Sequence, residues 1–479
     1  MSRTAASTSP KKPVDITYIG GINNLHTRQV NEPSTGKNFR SYNGDLTTRG
    51  GSVEIAGTSF ASPIRSIHAA PKVGYDTRLI VEEGTNLWHR TTDGGGWTLL
   101  KSDVSGTHGF RSCLWSNYLI LVNGEQALAY DIENATIADL EDSPPHMQHV
   151  INGNDLIYGW APDYEDSDRI NYCAEDSDGN PSKDLWDTSE RYFTAGDSSS
   201  PVLDVIILDT HKFILTKKNC LKLYSEPGSF QPSYAGAIGA YKSKLSAIVR
   251  DVVFWVGMDN GIKKIFAYSG TSPYEVGQKI STFLQEESFD YAWACSVGNQ
   301  YKLFLPNTTT GVTRIYTFDL GVMDDADNDS KWYIDEFPWL FMCGCSYCVN
   351  YIDQEYLYLG TNDNKIVKLD ESLTNDNGTA ITSDVTFGPL RAEGRKNKIK
   401  DLFIGALPEN DFDVDVYIGV DDKEEKGPYT ASFEEGNQAD LRLILHGFKG
   451  RNITIRLTST DTVSKIQQLT PYIVPGAVI

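Results

Sequence analysis

The densest group of reactive side chains is FMCGCSYC, which brings Cys343, Cys345 and Cys348 close together in the chain. Thiolates at this spacing can share a zinc ion, but a structural zinc site needs a second Cys or His pair at matching spacing, and none accompanies them. The alternative is a buried strand whose alternate cysteines act as small hydrophobes. His146 and His149, in HMQH, are the other candidate ligand pair, and they are expected in a Pro-containing loop without clear partners. EDSDGN (Glu175 to Asn180) and DDADND (Asp324 to Asp329) cluster the hard oxygen ligands that calcium prefers. Neither has the EF-hand register with its late glutamate, so solvated hairpin loops are expected. Asp163 and Glu165 could serve as acid and base on a glycosidic bond, with nine Trp and 25 Tyr as sugar-stacking surfaces. The same aromatics serve equally as packed core, the preferred reading. No catalytic residue, metal ligand or cofactor is assigned.

GTSFASP (Gly57 to Pro63) resembles the serine-nucleophile motif of subtilisin-like proteases, and GTHG (Gly106 to Gly109) resembles part of their histidine motif. That family places Asp, His and Ser in this order on an α/β fold, whereas here Ser59 precedes His108 amid hairpin-like sequence. No spacing singles out an Asp to orient His108, so an enzyme is not expected. TTDGGGW (Thr91 to Trp97) resembles, one residue short, the Asp-box turn of sialidase-like propellers. The role implied by that turn is structural: Asp and Gly shape a hairpin and the aromatic packs beneath it.

The elements that carry these residues are strands. The 479 residues are 40% hydrophobic and 22% charged, a folded composition large enough for more than one ordinary domain. Apolar stretches such as Val252 to Met258 are far shorter than the ~20 residues needed to cross a bilayer as a helix. MSRTAASTSPKKP has no apolar core behind its charges and does not read as a secretory signal. Seven cysteines, an odd count scattered except for Cys343, Cys345 and Cys348, show no short disulfide framework and suit a reducing compartment. A net charge of −21 argues against a general nucleic-acid-wrapping surface. The charge is unevenly placed: residues 1–50 hold seven Lys/Arg against three Asp/Glu (net +4), residues 385–479 twelve against fourteen (net −2), and residues 51–384 therefore −23.

The acidic region repeats. Period-2 runs closed by turn-formers recur around Leu87, Leu128, Ile170, Leu221, Ile265, Ile315 and Ile366, at gaps of 41, 42, 51, 44, 50 and 51 residues. Many are preceded by a second apolar run, such as NYLILVN or DVVFWVGMDNG. A period of ~40–50 residues with several strands per unit is that of propeller blades. The expectation is an all-β chain: an extended N-terminal arm over 1–50 lying on the folded parts or on a neighbour, a six- or seven-bladed β-propeller over 51–384, and a C-terminal β-sandwich over 385–479 whose about six strands, with TSDVTFGPL, take in the few residues before it. Asp370 to Thr382 is expected to be the linker between the last two. A long antiparallel sandwich is the alternative architecture.

Both ends of the chain resemble bacteriophage tail and packaged-DNA stabilisation proteins. GGINNLHTRQVNEPSTGKNFRSYNGDLTTRGG is similar to their Gly/Asn-rich opening and its "G-x-L-x-x-R-x-G" step, here Gly44, Leu46, Arg49 and Gly50/Gly51. HGFKGRNITIRLTSTDTVSKIQQLTPYIVPG is similar to their C-terminal strand and final "Y-x-x-x-G". The resemblance implies a structural virion protein of a short-tailed phage, made in the bacterial host cytoplasm. It would form a tail nozzle, hub or head-to-tail adaptor. Its partners would be copies of itself in a ring, commonly six-fold, other tail, adaptor or portal proteins, and double-stranded DNA that passes without specific binding. An acidic lumen would then repel DNA and let it slide, and Lys11, Lys12, Arg28, Arg40 and Arg49 would dock on an acidic neighbour. The rival from another class is a carbohydrate-binding or glycan-hydrolysing propeller used in host recognition. A secreted adhesion propeller is disfavoured by the odd cysteine count and the signal-free start.

Overall fold

In the computed structural model the described residues are 12–478, except 15, 18–21, 24–31, 43, 56–59, 72–76, 92–93, 198, 210, 225–231, 321–331, 349–354, 392–394 and 422. Their architecture is all-β, with one short helix, Ser281–Glu286, after a single 3-10 turn.

Six antiparallel four-stranded sheets follow one another along the chain, and a seventh closes the circle. The blades are formed in order, each beginning with its innermost strand: Ile64–Ala70, Arg111–Trp115, His149–Gly153, Val202–Ile207, Ser246–Val249, Trp293–Val297 and Phe341–Cys348. Neighbouring inner strands touch in sequence, and the last touches the first. The seventh blade takes three strands from Phe341–Cys348, Glu355–Thr361 and Ile366–Asp370, and its fourth from Gly51–Glu54, before the first blade. Strands some 300 residues apart are thus hydrogen-bonded, which locks the ring and leaves no open blade edge at the seam.

The periodicity has a physical origin. All seven marked residues, Leu87 to Ile366, lie in the third strand of their blade. The apolar runs before them are second strands, packed between neighbouring blades: Leu119, Ile120, Leu121 and Val122 are each at most 2% exposed. A strand covered on both faces reads as a continuous apolar run.

The C-terminal part is a sandwich of two sheets, and it is not built from residues 385–479 alone. One sheet runs through the hairpin Phe39–Tyr42 and Asp45–Thr48, then Ile466–Val478, Arg395–Ala406 and Ala439–Gly450, with Lys12–Pro13 and Ile16–Thr17 also on Ile466–Val478. The other runs Thr35–Lys37, Ser383–Arg391, Asn452–Ser459, Phe412–Val420 and Lys426–Phe433. Ile16, Phe39 and Leu46 of the N-terminal segment are at most 3% exposed in the shared core. Each such residue contributes roughly 1.5–3 kcal/mol by leaving water. Of the two places expected for the arm, its described part takes the folded parts, and it does so as strands: residues before 51 pair into both sheets. Their patterning is weak because they are short and their partners lie hundreds of residues away.

Ser383 already pairs with Ser459, so the first sandwich strand takes in the few residues before 385 that TSDVTFGPL includes. The stretch expected as linker folds instead into a small hairpin, Asn375–Asp376 with Thr379–Ala380, and Asp376 pairs with Ser52 on the seventh blade. The sandwich also has seven long strands after residue 382 where about six were expected. The missed strand, Lys426–Phe433, is an edge strand with only Ala431 and Phe433 buried, so it lacks an apolar signature.

Candidate functional site: the joint and the axial cavity

The residues of the Gly-x-Leu-x-x-Arg step converge on the joint between sandwich and propeller. Gly44 turns the first hairpin at φ +84°, a left-handed conformation that suits glycine. Leu46 enters the sandwich core. Arg49 is 1% exposed and spends its donors within the chain. Its Nε donates to Asn38 Oδ1 (2.9 Å), Nη1 to Gly50 O (2.7 Å) and Asp376 Oδ1 (3.1 Å), and Nη2 to Glu336 O (2.8 Å) and Asp376 Oδ2 (2.5 Å). The guanidinium lies over the Phe337 ring, 3.6 Å from its centroid. A Cβ on Gly51 would fall 2.0 Å from Asn375 O, so only glycine lets the chain pass between hairpin and blade here.

Arg40 makes a second clamp. It bonds both oxygens of Asp335 (3.2 and 2.6 Å) and both of Glu371 (2.7 Å each). Burial tends to raise the Glu371 carboxyl, but Arg40, Lys302 and the Gly50 N–H outweigh it and hold the group down to about 2. Lys37 pairs with Glu336 at 2.9 Å, and Glu32, 1% exposed, accepts from Asn23 (2.6 Å) and Lys279 (2.7 Å). The expectation that Arg40 and Arg49 dock on an acidic neighbour is thereby corrected: both neutralise carboxylates of their own propeller. Lys11 and Arg28 lie outside the described residues, as does the side chain of Lys12. Beside the clamp, a cavity of about 720 Å³ is lined by Arg40, Lys302, Tyr333, Asp335, Glu355 and Glu371.

A further cavity, of about 460 Å³, lies on the propeller axis and is lined by residues of all seven inner strands. Ile67 and His68 come from the first, Ser112 from the second, His149 from the third, Asp204 from the fourth, Ser246 from the fifth, Trp293 from the sixth and Cys343 from the seventh. Arg111 and Lys244 also line it. His68 Nδ1 shares a hydrogen bond with Ser112 Oγ (2.8 Å), and His149 stacks on Trp160 at 5.2 Å. Burial, aided by Arg111 and Lys244, pushes His68 down to about 3 and His149 well below its ordinary value, so both rings are neutral. Asp204 accepts from Ser246 Oγ and from the Val205 N–H, and burial raises it.

The residues whose types and spacing suggested chemistry are dispersed by this fold. Cys343 and Cys345 occupy one face of the seventh inner strand among Ile64, Ile67 and Tyr358; burial pushes the Cys343 thiol up to about 12 and raises Cys345 as well. The side chain of Cys348 lies outside those described. His146 bonds Gly124 O (2.8 Å) and stacks on Tyr164 at the rim, while His149 begins a strand and faces the axis, so the HMQH pair diverges. Among the described residues no three His, Cys, Asp or Glu side chains group to hold a metal ion.

In EDSDGN, Asp176 Oδ1 accepts the N–H groups of Asp178 and Asn180 (2.9 Å each), an Asx-type turn that occupies the carboxylate. Asp324 to Asp329 lie outside the described residues, as do Ser59 and, in the Asp-box-like turn, Thr92 and Asp93. Trp97 of that turn packs edge-on against Phe60 at 5.2 Å. His108 Nε2 is 3.7 Å from Asp163, beyond hydrogen-bond length. Asp163 and Glu165 are both exposed. Trp160, Trp186, Trp255, Trp293 and Trp332 are buried in blade cores, leaving Tyr224, Tyr234 and Tyr291 as the most exposed aromatics among the described residues. Arg111 and Lys244 carried no signal in the sequence; each stands in an ordinary-looking run, and only ring closure brings them to one axis.

No protein-family profile matches the chain, and no curated protein sequence matches it. Among solved structures it is similar to BamB from Moraxella catarrhalis (9% identity, TM-score 0.41, covering 68% of this chain and 98% of that one). It is also similar to the Pan2 WD40 domain of Neurospora crassa (11%, TM-score 0.42, 68% and 95%) and to YCF48 bound to D1 peptide (10%, TM-score 0.37, 66% and 95%). The chain is a β-propeller protein. Among its described residues no helix is long and apolar enough to cross a membrane.

Proposed function

We propose that the chain is a structural virion protein of a short-tailed phage. Copies form a ring, commonly six-fold, as nozzle, hub or head-to-tail adaptor around the DNA exit channel, retaining packaged DNA and letting it pass at ejection. The observation that carries the reading is spatial. The two stretches that resemble tail and packaged-DNA stabilisation proteins lie at opposite ends of the sequence, yet Leu46 pairs with Ile466 in one sheet. They form one sandwich, and Arg49 and Gly51 between them fix its attachment to the propeller.

Charge supports the same reading. The excess acid sits on exposed propeller loops, for example Glu165, Asp166, Glu175, Asp178, Glu190 and Asp197. The described basic residues Arg40 and Arg49 are consumed at the joint. Such a surface repels phosphates and lets a duplex slide along it. The free edge of Ala439–Gly450, with Ile444 60% exposed, offers an unpaired strand for a neighbouring copy. The other partners are tail, adaptor or portal proteins, and the location is the virion. Native mass spectrometry and electron microscopy of the recombinant chain and of purified particles test the assignment: a closed ring and a tail location are expected, and a monomer absent from virions overturns it.

A further inference from the structure

We propose that the axial cavity of the propeller is a binding site for a small oxyanion, held between Arg111 and Lys244. Among the described residues neither side chain makes a hydrogen bond or ion pair, although both line the axial cavity. Of the other charged groups lining the cavity, Arg65 is paired with Glu82 at 3.1 Å and also donates to Gly106 O (2.6 Å) and His108 O (2.9 Å). That leaves Arg111 and Lys244 against Asp204 alone, one negative charge short.

Side chains with unpartnered buried nitrogens line the same space. Arg111 Nε and Trp160 Nε1 are buried N–H groups without a hydrogen-bond partner, Trp160 being 2% exposed, and His68 Nε2, 7% exposed, is a further buried ring nitrogen without one. A buried donor left unpaired costs about 1–3 kcal/mol, and two like charges set against a single carboxylate add to that. An oxyanion supplies both the missing charge and the missing acceptors. The volume admits an organic group beyond the anionic head, within the usual range for ligand sites.

The electrostatics of Lys244 give the site a pH signature. Arg111 and then burial push its ammonium down to about 7, with Lys242 acting in the same sense and Cys343 and Glu82 opposing. Asp204, and the neutral His68 and His149, face the same space. Without an anion Lys244 sheds its proton near neutrality; with one bound it keeps it. Binding therefore takes up a proton near neutral pH and weakens as pH rises.

The test is calorimetry of the intact chain with sulfate, whose charge is constant over the range, and in parallel arms with inorganic phosphate and acetate. Saturable sulfate binding is expected to be about tenfold or more tighter at about pH 6 than at about pH 8.5, with proton uptake seen as a buffer-dependent heat. Preference for acetate over sulfate would assign the ligand as a carboxylate, within the same oxyanion chemistry. Lys244→Met and Arg111→Met should each abolish binding, while Arg111→Lys, which keeps the charge, retains part of it. No saturable heat in the unaltered protein, or undiminished affinity in folded Lys244→Met, overturns the proposal.

Discussion

Replacing Arg49 with Met tests the joint most directly. The substitution keeps much of the apolar stem but removes the partner of Asp376, a carboxylate only 4% exposed that would retain Ser52 Oγ at 2.7 Å as its remaining side-chain donor. Breaking a buried pair by deleting one partner costs about 3–5 kcal/mol. Asn38 Oδ1, Glu336 O and the Phe337 face lose their cation as well. We therefore expect a loss of about 4 kcal/mol in urea unfolding, read by both tryptophan fluorescence and far-UV circular dichroism. Asp376→Leu alone should also destabilise, whereas the double variant should cost at least about 2 kcal/mol less than the sum of the singles, because it leaves no unpaired charge. Additive costs, or an Arg49→Met loss below about 1 kcal/mol, would refute the claim that this pair fastens the sandwich to the propeller.

Two further outcomes concern the same joint. Gly51→Ala should destabilise by about 1–3 kcal/mol or more, since its Cβ meets the Asn375 carbonyl at 2.0 Å; a neutral effect in thermal unfolding would mean that the hairpin yields freely. Acid should loosen the Arg40 clamp: Glu371 is held down to about 2 from an ordinary 4.5, so its contribution is full above pH 4.5 and is lost as pH falls toward 2. The slope of urea midpoint against pH in that window should flatten in Arg40→Met, and an unchanged slope would count against the assignment.

The propeller was legible in the sequence because its physics is local. Second strands are sealed between blades and become apolar runs, third strands return with period 2, and tight turns separate them, so the repeat shows without any knowledge of long-range pairing. The residues up to Glu54 fail this test for the opposite reason. Thr35–Lys37 pairs with Ser383–Arg391, and Gly51–Glu54 with Ile366–Asp370, so their strand character comes from partners more than 300 residues away. Nothing in TGK or GSVE announces a strand. The polar edge strand Lys426–Phe433 escapes notice because edge positions bury little.

Charge arithmetic by region carries further than the total, and the fold then reverses part of its meaning. A basic segment ahead of an acidic domain invites an intermolecular reading, because sequence distance suggests separate bodies. Closure of the seventh blade by Gly51–Glu54 removes that distance: it forces Arg40 and Arg49 to within reach of Asp335, Glu371 and Asp376, and a tethered pair forms at far higher effective concentration than one between subunits. Both cations are satisfied inside the chain, and the acid left over on the propeller loops is unbalanced at the surface. The axis shows the converse. There the chain brings Arg111 and Lys244 together with too little acid to match them, inside a domain whose total is strongly negative. The unmatched carboxylates therefore face outward and the unmatched cations inward. A duplex brought near the propeller meets repulsion over its loops, while a small anion that can enter the axis meets attraction, so size alone separates what this surface excludes from what its interior can hold.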